Sequence, residues 1–436
     1  MQPNDSVDLT RVGPGTAMGQ LMRQYWLPAA LSCEVKADGD PVRLMILCEK
    51  LVAFRDSAGR VGILDHRCPH RCASLFLGRN EENGLRCVYH GWKFDVNGTC
   101  LDMPSVPARQ DFRQKVHAKA YRTAERNGLI WVYMGDRQQP PRLPDIEANL
   151  IEGGEIWCLQ RECNWLQALE GDIDTSHVGF LHVGSLHPDD LEPDHPMRPT
   201  VINRAPEYEV RSAEWGTMYG AFRPNDDGMM SWRVAHFMFP FWTQTPNARF
   251  KSRAIARAWV PMDDGHVMLF DISGGVDDGN PAYNSKRKSG EPLFEKFRYA
   301  PPTTDWFGRW RCADDRSNDW GIDRESQRNH TQFTGIANIT IQDQAVTESM
   351  GPITDHEWEH LAPTDQMISL TRRRLLLAAR ALRDKGITPP GSADPAIFFG
   401  ARAGSFLHEP TANLEGAYRS QLQQAVRWAA APAEPA

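Results

Sequence analysis

The sequence predicts an α+β protein of two domains: an antiparallel β domain over residues 1–140, and a larger domain of antiparallel sheet and helices over residues 141–428. Three observations carry this expectation. The first third of the chain alternates short β-branched and aromatic runs with turn residues. Beyond it, two stretches have the spacing or composition of helices, with strand-like runs between them. At 436 residues the chain also exceeds the usual size of one domain.

The expected strands begin with Val42 to Leu47 and Leu51 to Arg55, after which Asp56-Ser57-Ala58-Gly59 turns the chain into Val61 to Leu64. Such closely spaced runs pair as antiparallel sheet. Asn127-Gly128 introduces a further apolar strand, Leu129 to Met134, and the Pro-rich segment Gln138 to Pro144 reads as a linker, with the boundary near residue 140. In the second domain, Cys163 to Leu181 lacks proline. Asn164, Gln167, Glu170, Asp174 and His177 recur there every three or four residues, so a helix gathers them on one face. Met230 to Val234 and Ala254 to Val260 read as strands. The Leu-, Ala- and Arg-rich stretch Thr364 to Lys385 reads as a long helix, and residues 429–436 as a disordered tail. The chain shows no internal repeat.

Hydrophobic residues make up 41% and charged residues 24% of the chain, ordinary values for soluble globular domains. The formal charge of −7 comes from 49 basic and 56 acidic residues spread without long runs; there is no basic stripe, and nucleic acid is not an expected partner. The amino terminus lacks the positive and apolar segments of a signal peptide, and no apolar run reaches the length of a membrane span, so no membrane association is expected. Nine cysteines, an odd number scattered over a long chain, fit a reducing cytoplasm better than a disulfide framework.

Two of those cysteines sit in mixed pairs with histidine, Cys68-Pro69-His70 and Cys87-Val88-Tyr89-His90, with sixteen residues between the pairs. Two thiolates and two imidazoles are the ligand set of a Rieske [2Fe-2S] cluster, in which cysteines hold one iron and histidines the other. Such a cluster passes single electrons. Zinc is the alternative, but structural zinc sites usually pair Cys with Cys and His with His. Cys72 is the other thiol close to these ligands and reads either as a neighbour of the cluster or as a small packed residue. Cys33, Cys48, Cys100, Cys158, Cys163 and Cys312 read as core or surface residues.

A second constellation ends the polar helical face. Asp174-Thr175-Ser176-His177 is followed by four residues and then His182. Two histidines and one carboxylate form the facial triad of non-haem Fe(II) sites, which leaves the remaining positions on the metal open. The five-residue step from His177 to His182 overshoots one helical turn, so a bulge or helix end has to bring the rings together. Taken alone, two histidines at this spacing are more often surface or core residues; the cluster motif in the same chain reverses that reading.

Together, the stretches Arg67 to Arg71 and Cys87 to Phe94 with the Asn97-Gly98 turn, the Asp-x2-His-x4-His pattern of Asp174, His177 and His182, and a late carboxylate resemble the large (alpha) subunit of Rieske non-haem iron aromatic-ring-hydroxylating oxygenases. The resemblance covers nearly the whole chain. Trp320 to Arg324, Ile341 to Pro352 and Asp355 to Leu361 resemble the phthalate dioxygenase-like branch in particular. What this implies is a Rieske domain followed by a helix-grip-like catalytic domain, with one [2Fe-2S] cluster on Cys68, His70, Cys87 and His90 and one mononuclear Fe(II) on His177, His182 and Asp343. Glu348, five residues after Asp343, is the competing acid, while His356 and His360 read as surface or packing residues. The resemblance further implies a head-to-tail homotrimer in which the cluster of one subunit serves the iron of the next. Asp174 would bridge His177 to His90 of the partner subunit, orienting imidazoles and raising their basicity. Glu170 and Asp172 lie near enough to compete, but only Asp174 has the right step to His177.

No Gly-x-Gly-x-x-Gly opens a helix after a strand, so electrons from NAD(P)H are expected through a separate reductase carrying flavin and a [2Fe-2S] cluster. The branch implies O2 and an aromatic acid or methoxylated aromatic as substrates, handled by ring hydroxylation or oxidative O-demethylation. Arg223, Arg233 and His236 are candidates for holding a carboxylate, with surface residues on strands as the alternative. Against an oxygenase stands a Rieske electron-transfer or scaffold protein without oxygen chemistry, which intact His177, His182 and Asp343 disfavour.

Overall fold

A computed structural model describes residues 2–193, 195, 197–225, 227–275 and 286–428; the tail expected at 429–436 lies outside the described residues. In the N-terminal part, Val42–Ile46, Glu49–Arg55 and Val61–Asp65 form the expected meander. It continues through Ala120–Arg126 and Leu129–Tyr133 to Trp26–Leu31 in one six-stranded antiparallel sheet. A second sheet of four short strands, Arg79–Glu81, Gly84–Arg86, Lys93–Phe94 and Cys100–Asp102, carries the second Cys–His loop. The first such loop follows Val61–Asp65. Phe54, Leu64, Leu75, Leu85, Trp92 and Phe94 form a small core of their own beneath both loops.

The C-terminal part is built on an eight-stranded antiparallel sheet. Its order is Glu155–Arg161, Val267–Gly275, Arg253–Pro261, Trp242–Gln244, Met230–Met238, Gly216–Pro224 and Glu207–Ala213, with Gly404–His408 also paired to Met230–Met238. The strand expected at Met230 to Val234 is the first half of Met230–Met238, and that expected at Ala254 to Val260 is the inner part of Arg253–Pro261. Helices Trp165–Ile173 and Gln366–Lys385 pack on the sheet, and Ile339–Ser349 packs on the first of them. Among the described residues, no helix is long and apolar enough to cross a membrane.

The helix expected over Cys163 to Leu181 spans only Trp165–Ile173. Asp174 ends it: Oδ1 accepts from Ser176 N–H at 2.7 Å and from Ser176 Oγ–H at 2.5 Å, a local alternative to continuing the helical ladder. A π turn, Val178–His182, follows. The polar face upstream fastens helices together, since Gln167 donates to the carbonyls of Thr347 and Gly351 and Glu170 pairs with Arg372 at 2.5 Å.

The two parts are joined more closely than a linker at residue 140 suggests. Strands Trp26–Leu31 and Leu129–Tyr133 are buried at every residue, so both faces need cover. The second part supplies it: Trp131 lies 5.7 Å from Trp242, and one apolar core runs from Leu9 to Ala401. Pro141 in the supposed linker accepts a hydrogen bond from Trp26 Nε1 at 2.7 Å. The first helix, Pro3–Thr10, sits on the C-terminal part, with Asp5 and Asp8 paired to Arg380 at 2.7 and 2.8 Å.

Candidate metal centres

The two Cys–His loops share one backbone pattern. Cys68 donates its N–H to Ala73 O at 2.8 Å and accepts from Cys72 N–H at 2.9 Å; Cys87 donates to Trp92 O at 2.8 Å and accepts from Gly91 N–H at 3.0 Å. The fifth position of each loop takes a left-handed conformation, φ 59° at Cys72 and 78° at Gly91. Cys72 is therefore a turn residue, and its thiol is exposed.

Cys68 and Cys87 are buried with their thiols in contact, and the rings of His70 and His90 lie 4.4 Å apart. Burial and the neighbouring Cys87 push the Cys68 thiol up to about 12, so a cation has to supply the charge that holds two thiolates side by side. His70 stacks on Trp92 at 4.3 Å, and the buried Nδ1 of His90 has no hydrogen-bond partner, as a metal-facing nitrogen requires. No three of these four donor groups lie within 4.8 Å of one another, as ligands of a single zinc ion would. Thiols paired with thiols and imidazoles with imidazoles fit a cluster of two irons.

The other centre is compact. Among the described residues, His177, His182 and Asp343 have ligand atoms within 4.8 Å of one another. Nε2 of His177 lies 3.1 Å from Nε2 of His182, and Asp343 Oδ1 lies 3.7 and 3.3 Å from them. Three ligands at about 2.1 Å and right angles around one ion are about 3 Å apart, so this trio fits one face of a metal. The π turn makes the five-residue step work, because Val183 N–H bonds back to Val178 O at 3.2 Å and widens the turn by one residue. Asp343 comes from helix Ile339–Ser349, whose Asn338 cap accepts from Thr340 and Ile341 N–H.

Each ring is oriented from behind. Gln342 Oε1 meets His182 Nδ1 at 2.8 Å and is itself fixed by Gln342 Nε2 donating to Ile336 O at 2.7 Å; Asp174 Oδ2 lies 3.4 Å from His177 Nδ1. Burial opposes the charge on Asp343, yet His182 and His177 beside it hold its carboxyl well below the usual range. Burial likewise opposes protonation of His177, yet Asp174 and Asp343 raise its pKa. The raised histidine reports the negative field of the two carboxylates, which suits a dication, and the lowered carboxyl keeps Asp343 ionised as a ligand.

Glu348, the competing acid, is tied up elsewhere. Its Oε1 accepts from Glu162 N–H at 2.8 Å and from Gln344 Nε2 at 3.0 Å, and its Oε2 accepts from Trp320 Nε1 at 2.7 Å. Asp172 is held by Arg257, Thr243 and Trp259. His356 meets Ser6 Oγ at 2.8 Å, and His360 is exposed.

The three candidate ligands open into a cavity of about 870 Å³ including its mouth, with Trp157, Val178, Met197 and Leu269 among its apolar walls. Of the three residues expected to hold a carboxylate, Arg233 lines it. His236 does not: side chains alternate along Met230–Met238, so His236 faces the opposite side of the sheet, where Trp215 Nε1 donates to its Nδ1 and its Nε2 meets Arg402 O. Arg223 shares the face of Arg233 but is buried away from the cavity, donating to Asn203 O at 2.6 Å. Sequence reasoning missed Arg161 and Arg257, which also line the cavity, and Thr175, which accepts from Arg233 Nε at 3.2 Å. Strand arginines and a lone threonine carry no local motif that could have marked them. Arg257 is neutralised by Asp172 and Asp271 at 2.5 and 2.6 Å, whereas Arg233 pairs with no carboxylate among the described residues.

Residues 25–120 match the family model of the Rieske [2Fe-2S] domain, and residues 132–404 match that of the LigXa C-terminal domain like family. The chain is 49% identical to the 3-chlorobenzoate-3,4-dioxygenase oxygenase subunit of Comamonas testosteroni, over 97% of this chain and 99% of that one. It is 41% identical to the 5,5'-dehydrodivanillate O-demethylase oxygenase subunit of Sphingobium sp. strain SYK-6, over 89% and 83%. It is 35% identical to the phthalate 4,5-dioxygenase oxygenase subunit of Pseudomonas putida, over 91% and 90%. With both metal-binding parts matched in order along one chain, the protein belongs to the Rieske non-haem iron oxygenases, as an oxygenase subunit with a Rieske [2Fe-2S] cluster and a mononuclear iron.

Proposed function

We propose that this subunit oxygenates an aromatic carboxylate by ring dihydroxylation. The observation that carries the reading is Arg233, a half-buried guanidinium in the cavity beside His177, His182 and Asp343 with no carboxylate partner among the described residues. A guanidinium partly withdrawn from water and without a counter-ion favours an anion, and it matches a planar carboxylate with two parallel hydrogen bonds. The 3-chlorobenzoate and phthalate named for two relatives are aromatic acids.

When bound, the cluster supplies single electrons and the mononuclear iron activates O2 beside the substrate. Cys68, His70, Cys87 and His90 would hold the first, and His177, His182 and Asp343 the second. Gln342 keeps His182 in one orientation. Arg233 anchors the substrate carboxylate, while Trp157 and Leu269 border the aromatic ring and exclude water. Asp174, with a side chain 23% exposed, would bridge His177 to His90 of the partner subunit in a head-to-tail homotrimer. Apolar groups stand ready at both ends of that contact, with Val88 and Tyr89 exposed at the cluster loop and Phe180 exposed beside His177. Electrons enter from NAD(P)H through a separate reductase with flavin and a [2Fe-2S] cluster, and the chain acts in the cytoplasm, where its free thiols stay reduced.

A substrate screen with a surrogate reductase tests the reading by following NADH, O2 and product. Substituted benzoates should be dihydroxylated, and the corresponding benzamides should lose at least about 100-fold in kcat/KM, because a site built for an anion leaves its donors unpaired against a neutral analogue. Equal turnover of acid and amide would refute Arg233 as the anchor. Oxidative O-demethylation is the second reading, favoured by the 41% identical relative. Formaldehyde released from methoxybenzoates, in place of dihydroxylated product, would establish it.

A further inference from the structure

We infer that Thr175 is a positioning residue that ties the substrate's carboxylate to the electron-transfer bridge at Asp174. The inference rests on Arg233 being the carboxylate anchor. Strand register gives the starting point. Arg233 is paired with Ala221 and Tyr219 with Ala235, while Tyr208 is paired with Ala221 and Arg223 with Ser231. Partners in register share a face, so Tyr208, Tyr219, Arg223 and Arg233 all project from one side of the sheet. Arg223 Nη2 and both phenol oxygens are buried without a hydrogen bond, although the phenols lie close to Ser176 and Thr175. Of the four, Tyr219 and Arg233 line the cavity together with Thr175, and Arg233 has no carboxylate partner among the described residues, so an anion entering there meets its guanidinium.

Thr175 is where this face meets the iron site. It is 2% exposed, and its Oγ1 accepts from Arg233 Nε at 3.2 Å. Its chain neighbours are the two residues that shape the corner after the helix: Asp174, whose Oδ1 holds Ser176 twice, and Ser176 itself. The other oxygen of Asp174 stands 3.4 Å from His177 Nδ1, longer than the roughly 2.7–2.9 Å of a charge-assisted hydrogen bond, so this contact has room to tighten. A carboxylate held by the Nη fork of Arg233 fixes the plane of the guanidinium and with it the direction of Nε–H. Thr175 is packed on all sides and follows that donor as one unit with the corner. Movement of the corner by a few tenths of an ångström closes Asp174 onto His177. Catalytic hydrogen bonds that are long in the free enzyme commonly shorten in this way when substrate binds.

The test uses the complete trimer with its cluster chemically reduced, mixed with O2 in a stopped-flow instrument with and without 3-chlorobenzoate. The wild type should show cluster oxidation accelerated about tenfold or more by the acid, within the usual range of coupling between two sites. Thr175→Val keeps the shape but removes the acceptor: acceleration should fall below about twofold while 3-chlorobenzoate still binds within about threefold of the wild-type Kd, in a protein with unchanged cluster absorption and iron content. Thr175→Ser should restore the acceleration. Full acceleration in Thr175→Val, or none in a wild type that binds the acid, overturns the link alone. A wild type that binds neither 3-chlorobenzoate nor benzoate overturns the anchor itself, and the link falls with it.

Discussion

Asp174 divides its two oxygens between the local turn and the ring of His177. Oδ1 ends the helix by accepting from Ser176 twice, and Oδ2 faces His177. Burial disfavours its charge, but hydrogen bonds from His177 and Ser176 hold the carboxyl below its ordinary range, so it is an anion at any working pH. Asp174→Asn keeps the size and one acceptor and loses that charge. Cluster absorption and iron content should stay unchanged, while turnover with reductase should fall by at least about 100-fold, because an amide whose oxygen stays on Ser176 turns an uncharged NH2 toward His177 in place of an acceptor. Near-normal turnover in an intact trimer would end the bridging role. Arg233 and His236 make a second residue-scale contrast. Three positions apart on one strand, they face opposite sides, and only one can meet the substrate.

At the scale of an element, helix Ile339–Ser349 presents two acids with different tasks. Asp343 and Glu348 are five residues apart, hence about 140° around the helix axis. One face meets His177 and His182, while the other is bonded to Glu162, Gln344 and Trp320. Metal analysis separates them: Asp343→Ala should fall from about three irons per chain to two with an intact cluster spectrum, whereas Glu348→Ala should keep all three and lose thermal stability. Retention of the mononuclear iron in the first variant would return Glu348 to candidacy. The strand Met230–Met238 has an acid-sensitive point in His236, which burial holds down to about 4. The sign follows from linkage. The folded protein refuses a proton that the unfolded chain accepts below about 6.5, so stability is full above that pH and is lost as pH falls toward 4, by up to about 3 kcal/mol. Melting curves between pH 7 and 4.5 should show a shallower decline in His236→Gln than in the wild type; parallel declines would assign the acid sensitivity to other groups.

For the whole molecule, the deciding feature is one apolar core running through both parts of the chain. Strands Trp26–Leu31 and Leu129–Tyr133 belong to the sheet beside the cluster loops yet lean on Trp242 of the catalytic sheet. The N-terminal helix is pinned to the last long helix by Asp5 and Asp8. Loss of cluster absorption and loss of tertiary fluorescence should therefore coincide in one thermal transition. Trp131→Ala, removing a fully buried side chain at the junction, should lower that shared transition by about 3–5 kcal/mol without splitting it. Two separate transitions in the wild type would show that the cluster-bearing part stands alone.

What the sequence determined by itself was chemistry written in short spacings. Cys68 with His70, Cys87 with His90, and Asp174 with His177 and His182 are each set within one loop or turn, because local backbone geometry fixes which of these side chains stand close together. The strands of the N-terminal sheet and the helix Gln366–Lys385 were legible for the same reason, as hydrophobic period and helix propensity act over neighbouring residues. Tertiary structure alone decided the rest. Which of Asp343 and Glu348 stands beside the two histidines depends on which helix face meets a turn more than 160 residues earlier, and which of Arg223, Arg233 and His236 reaches the cavity depends on strand register and cavity depth. The close junction of the two parts has the same origin. Strands apolar on both faces advertise burial without naming what covers them, and that cover came from Trp242, far along the chain.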